Sequence, residues 1–128
     1  MNGEISSQAL ARQIAGIADA KGAEEIVALD VRGLVGYTDF LLVATARNER
    51  QAKAIHDEVH RALKAEGRLP SRTEGVQEAE WMLIDYLDCV LHVMTPETRD
   101  RYRLEHLWGE APELDLELTP HPPLAADG

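Results

Sequence analysis

Apolar positions along the chain switch between two spacings, and the switches mark out its elements. Leu10, Ile14 and Ile17 recur at helical spacing. Ser6 stands where an N-cap belongs, Ile5 and Leu10 flank it as a hydrophobic staple, and Gly22 supplies a stop. Residues 25–31 read as a strand. Residues 38–44 are nearly continuous in apolar side chains, the pattern of a strand buried on both faces, with Gly33 and Gly36 bracketing the turn before it. Asn48 with Gln51 three residues later predicts a capping box, and Ala52, Ile55, Val59, Ala62 and Leu63 then trace one face of a long helix ended by Gly67. Residues 69–75 form a connection with room for a short edge strand. Residues 81–86 and 89–94 pair as a hairpin. Thr95 as N-cap and Pro96 at the first helical position open a last helix, which runs with a break to Trp108 and stops at Gly109. The order α-β-β-α-(β)-β-β-α predicts an α/β fold of the α+β kind, a mixed sheet with flanking helices.

The hairpin is the most informative stretch. With Leu87 and Asp88 as a two-residue turn, Tyr86 faces Cys89, Ile84 faces Leu91 and Met82 faces Val93. Side chains alternate along a strand, so these six make one apolar face. The other face holds Trp81, Leu83, Asp85, Val90, His92 and Met94. Two readings fit that mixed face. Either it is the core of an interface, where aromatic side chains concentrate binding energy, or another element of the same domain covers it.

Charge sharpens the first reading. The chain of 128 residues carries 13 basic and 23 acidic residues, a net charge of −10. Such a balance disfavours broad nucleic-acid binding. The charge is uneven: residues 47–72 hold seven basic and four acidic side chains, whereas residues 73–98 hold six acids and no Lys or Arg. An acidic patch steers basic partners and repels phosphate. Length and ordinary composition predict one domain, residues 1–109. Residues 110–128, with four of the six prolines, five acids and no basic residue, read as a mobile acidic tail. The single cysteine, Cys89, fits a reducing compartment, and no signal-like or membrane-spanning run is evident, so a cytoplasmic location is expected.

Candidate catalytic and metal sites are poor. His56-Asp-Glu-Val-His60 puts two imidazoles on one helix face, but Asp57 stands where the zinc-protease motif has its general-base Glu, and no third ligand follows. Both are expected to be surface histidines. Asp85 and Asp88 are three apart, not the two that adjacent metal carboxylates on a strand require, and no Gly-Ser phosphate loop precedes them. Gly33-Leu-Val-Gly36 is too poor to cradle phosphate. Cys89 on the apolar face reads as a small hydrophobe, and Arg99, Arg101 and Arg103 as a solvated helix face. No catalytic residue, metal or cofactor is assigned.

An ordered series of segments carries a family resemblance. Leu29-Asp-Val-Arg-Gly33, Thr38-Asp39-Phe40, Asn48-Glu-Arg-Gln-Ala-Lys-Ala-Ile55, Glu74-Gly75, Glu80-Trp81-Met-Leu-Ile-Asp85, Val90-Leu-His-Val93 and Tyr102-Arg-Leu-Glu-His-Leu-Trp-Gly109 together resemble the ribosomal silencing factor family, also called Iojap-like. The likeness spans roughly residues 6–111. It implies a nucleotidyltransferase-like fold without catalytic residues. It implies binding to the large ribosomal subunit through its fourteenth protein at the subunit-joining face, which blocks the small subunit and dampens translation when nutrients are scarce. It also implies a homodimer when free; the acidic charge balance and the lack of a long apolar run add the expectations of little direct nucleic-acid contact and no membrane. On that reading Trp81 and Leu83 are apolar anchors, Asp85 pairs with a partner cation, His92 and Met94 flank it, and Glu80 and Glu78 steer at the rim. One departure stands out: the family usually has Gly at the position of Leu87, where a type I′ turn needs positive φ. A nucleotidyltransferase-type enzyme and a dimerisation or adaptor module unconnected to ribosomes are the alternatives.

Overall fold

The computed structural model describes residues 6–118, apart from the side chain of Leu107. Ser6 caps α1 (Ser7–Ala20), its hydroxyl accepting from the Ala9 N–H at 3.0 Å; Ile5, its staple partner, lies outside the described residues. Asn48 caps α2 (Glu49–Ala65), accepting from the Gln51 N–H at 2.8 Å. Gln51 does not complete the predicted box. Its Oε1 accepts from the Arg47 N–H at 2.7 Å, and its Nε2 reaches the carbonyls of Lys21 and Gly22 at 3.3 Å each. The side chain thus ties the start of α2 to the end of α1, a tertiary bond that no local spacing reports.

Five strands follow the chain as β1 (Glu24–Asp30), β2 (Phe40–Thr45), β3 (Arg72–Glu74), β4 (Trp81–Asp85) and β5 (Cys89–Met94). They lie in the order β1-β2-β5-β4-β3, with β2 and β5 parallel and every other pair antiparallel. The predicted mixed sheet is therefore present, short edge strand included. Every position of β2 is buried, because β1 and β5 flank it and both faces are covered. On one face Phe40, Leu42, Met82, Ile84, Leu91 and Val93 meet Leu10 and Ile14 of α1 and Ile55, Val59 and Leu63 of α2. Full burial of each such side chain is worth roughly 1.5–3 kcal/mol. Cys89 belongs to this core, its Sγ 3.4 Å from the Ser7 carbonyl. Burial, helped by Asp88 and Asp39, pushes its thiol up to about 12, so it stays a protonated small hydrophobe.

Hairpin pairing is as read: Met82 opposes Val93, Ile84 opposes Leu91, and the Tyr86 N–H donates to the Cys89 carbonyl at 2.9 Å. The turn is not type I′. Leu87 alone of the two turn residues has positive φ, +73°, and the Asp88 N–H donates to the Tyr86 carbonyl at 2.9 Å, closing a γ-turn around Leu87. Asp85 Oδ1 accepts from the Leu87 N–H at 2.8 Å and braces it. The Leu87 side chain is exposed, so little packing offsets the backbone cost. Leu87→Gly should raise stability by about 1 kcal/mol, read as a higher urea midpoint at unchanged slope. An unchanged midpoint would mean the γ-turn carries no strain.

After β5, α3 (Pro96–Tyr102) opens at Thr95 and Pro96 as predicted. It breaks at Arg103, which is left-handed at φ +48°, and resumes as a 3-10 turn, Leu104–Trp108, ahead of Gly109. Two expectations are corrected here. Arg99 is not on a solvated face; it is buried, with its guanidinium donating to the Glu25 carbonyl at 2.6 Å, Thr45 Oγ1 at 2.8 Å and Glu105 Oε2 at 2.9 and 3.1 Å. Nor is the chain loose from Glu110. The Asp30 N–H donates to the Pro112 carbonyl at 2.7 Å, the Leu114 N–H to the Ala28 carbonyl at 2.8 Å, and Leu29 bridges Glu113. Leu114, Leu116 and Leu118 pack on the helix-side core, and Arg12 holds the Asp115 carbonyl at 2.9 Å and Glu117 at 3.4 Å. The physical reason is the outer edge of β1, whose backbone groups need partners. The remainder of the expected tail, residues 119–128, lies outside the described residues.

Candidate functional site

The sheet face away from α1 and α2 is only partly closed. Leu104 and Trp108 of the 3-10 turn settle on Val43 and Met94, and Ala111 with Trp108 joins Leu29, Val31, Leu41 and Val90. The cover stops short of β4. Trp81, Leu83 and Asp85 point to this face and stay half-buried, because only the three exposed residues of β3 lie beyond them. Tyr102, at the end of α3, borders the strip with half its surface exposed, and its ring lies 4.9 Å from that of Trp81. Sequence reading passed over Tyr102. Its one signal was an aromatic closing an otherwise charged helix.

The two readings of the mixed face therefore divide along it. Trp81, Leu83 and Asp85 reach the surface, and Glu80 is exposed beside them with its carbonyl accepting from the Thr95 N–H at 3.0 Å. Met94 is completely buried and His92 is 7% exposed, so the expectation that they flank a partner at the surface is corrected: the chain's own Leu104 covers Met94, and burial removes His92 from contact. His92 acts on the site from beneath. Its Nδ1 accepts from the Trp81 indole N–H at 2.9 Å, which fixes both the indole and the imidazole. Burial pushes the His92 pKa down to about 4, so the ring is neutral at physiological pH, as an acceptor must be.

Asp85 is engaged already. One oxygen takes the Leu87 N–H, and the other lies 3.5 Å from Arg72 Nε on β3. Arg72 also pairs with Glu74, so this corner holds acids on both sides of one arginine. The two helix histidines stack, ring centroids 6.2 Å apart and 12° between planes, and His56 Nδ1 lies 3.0 Å from Asp57. Among the described residues no three His, Cys, Asp or Glu side chains are grouped as a metal site, and no helix is long and apolar enough to cross a membrane.

Fold and site together define a small α+β domain whose five-stranded mixed sheet is closed by helices on one face and half closed on the other, leaving an aromatic and acidic strip along β4. A family model described as "Ribosomal silencing factor during starvation" matches residues 4–127. The protein named Ribosomal silencing factor RsfS of Halalkalibacterium halodurans is 38% identical over 113 residues, 88% of this chain and 97% of its own. That of Bacillus subtilis is 34% identical over 114 residues, 89% and 97%. A solved structure of a Chromobacterium violaceum protein superposes with a TM-score of 0.80 at 30% identity, covering 94% of this chain and all of that one. The chain belongs to the ribosomal silencing factor family. The match also runs past residue 111, where the resemblance in the sequence ended, and takes in the strip docked on β1.

Proposed function

We propose that this chain silences ribosomes by docking on the large subunit and occupying space that the small subunit needs. The family match over residues 4–127 carries the reading. The strip on β4 supplies its surface: Trp81 and Leu83 are apolar anchors, Tyr102 extends them, and Asp85 and Glu80 meet Lys or Arg of a ribosomal protein, the fourteenth of the large subunit. The mechanism is steric, and no bond is made or broken. The protein acts in the cytoplasm, restrains translation when nutrients are scarce, and is a homodimer when free.

Sucrose-gradient fractionation tests this. The wild-type chain should travel with large subunits and lower the yield of joined ribosomes. Trp81→Ala should weaken that association at least thirtyfold, about 2 kcal/mol, the loss typical of a central aromatic anchor. Asp85→Arg should weaken it further by placing like charges together. Folded variants that sediment with large subunits as well as wild type would remove the strip from the interface. A chain that stays at the top of the gradient would remove the ribosome.

A further inference from the structure

Helix α2 presents a second surface of opposite sign. At 100° per residue, Arg50, Lys53, Arg61 and Lys64 fall within an arc of roughly 80°, on the side away from the buried Ala52, Ile55, Val59 and Leu63. All four are exposed. From Arg50 to Lys64 the stripe runs about 21 Å at 1.5 Å per residue. Asp57 is the one acid within the arc, and it leans to His56 at 3.0 Å. Arg61 is paired with Glu58, whereas Arg50, Lys53 and Lys64 make no ion pair among the described residues. Four exposed cations against one acid in the arc are a local inversion of sign in a chain with a net charge of −10. At the start of the helix Arg50 shares a cleft with Glu49, Glu80 and Glu97; Lys53, Arg61 and Lys64 lie beyond that cleft.

We propose that this stripe is a contact surface for an RNA phosphate backbone. Exposed cations spaced along 21 Å with no large apolar side chain among them suit a polyanion that offers charge and little hydrophobic surface. The aromatic strip on β4 lies on the opposite face of the sheet, so one domain can hold a protein by one face and RNA by the other. The inference rests on the proposed function only for the particle in which both occur together.

The test is the salt dependence of binding to purified large ribosomal subunits. In Lys53→Gln/Lys64→Gln, two cations are lost and helix propensity is kept. The slope of log affinity against log salt should become shallower by about 1.5, at roughly 0.7–0.9 per phosphate contact. Trp81→Ala should lower affinity at every salt concentration and leave the slope alone. Equal slopes for wild type and the double variant overturn the inference while the proposed function stands. If wild type binds no large subunits, the proposed function fails, and retention of a naked RNA duplex by wild type but not by the double variant decides the stripe alone. Displacement by polyglutamate as effective as by RNA would assign the stripe to an acidic protein and overturn the RNA reading.

Discussion

Arg99→Leu should cost about 3–5 kcal/mol of stability, the range for removing one member of a buried charged network. The guanidinium makes four hydrogen bonds to three groups. It bonds the Glu25 carbonyl, at a residue held at φ +51° where the pairing of β1 with β2 shifts register. It also bonds the Thr45 hydroxyl and, with two nitrogens, Glu105 Oε2. Among the described residues Glu105 Oε1 is buried with no partner, so this carboxylate relies chiefly on the bonds that Arg99 makes to Oε2. Burial alone would raise the Glu105 pKa; bonds from its own backbone and from Arg99, with the positive charges of Arg99 and His106, outweigh it and hold the carboxyl below its ordinary value. That shift stabilises the fold above the ordinary carboxylate pKa, and the stabilisation is lost as pH falls through the lowered value. In a domain of this size the melting temperature should drop by more than 10 °C, and the urea midpoint by roughly 2 M. Arg99→Leu/Glu105→Leu should recover part of the loss, because the buried carboxylate goes with its partner. A loss below about 1 kcal/mol in the single variant would show that water serves these groups equally well.

Acid should act on the fold through His92. Unfolded, a histidine takes up a proton near pH 6.5; in the fold, burial lowers this to about 4. Between those values the unfolded chain binds more protons than the folded one, so stability falls as pH falls through the window. The span of about 2.5 pH units corresponds to roughly 3 kcal/mol, absent above pH 6.5 and complete below pH 4. Urea unfolding of wild type and His92→Asn from pH 7 to 4 isolates this group, because the carboxylates titrate in both. The Asn carboxamide keeps an acceptor for the Trp81 N–H. The stability difference should move toward the variant by about 3 kcal/mol across the window. Parallel curves would show that His92 protonates in the fold as easily as outside it. Because Trp81 donates to the nitrogen that acid protonates, its fluorescence should shift over the same range.

The hydrophobic pattern located α1, α2, β1, β2, β4 and β5 because each buries at least one face, and a buried face writes its period into the chain; β3, exposed throughout, writes none. Asn48, Thr95, Pro96 and the break before Trp108 were legible for the same local reason. In the tail, period outweighs composition: Leu114, Leu116 and Leu118 alternate as a strand-like segment does, amid prolines and acids. The role of Arg99 was not legible locally, because its partners come from β1, β2 and the far side of the helix break.

By itself, the sequence determined the elements, the register of the hairpin, the two faces of β4 and β5, and the family. Those depend on contacts between near neighbours, or on the ordered series of segments. Tertiary structure alone decided which part of the mixed face stays at the surface. Alternation put Trp81, Leu83, Asp85, His92 and Met94 on one side of the sheet. The segment from α3 to Ala111 then folded back over β2 and β5 and stopped before β4. Burial depends on what lies across a face, and that was set by a backbone turn at Arg103 and a bridge to β1 that no period in the hairpin could encode.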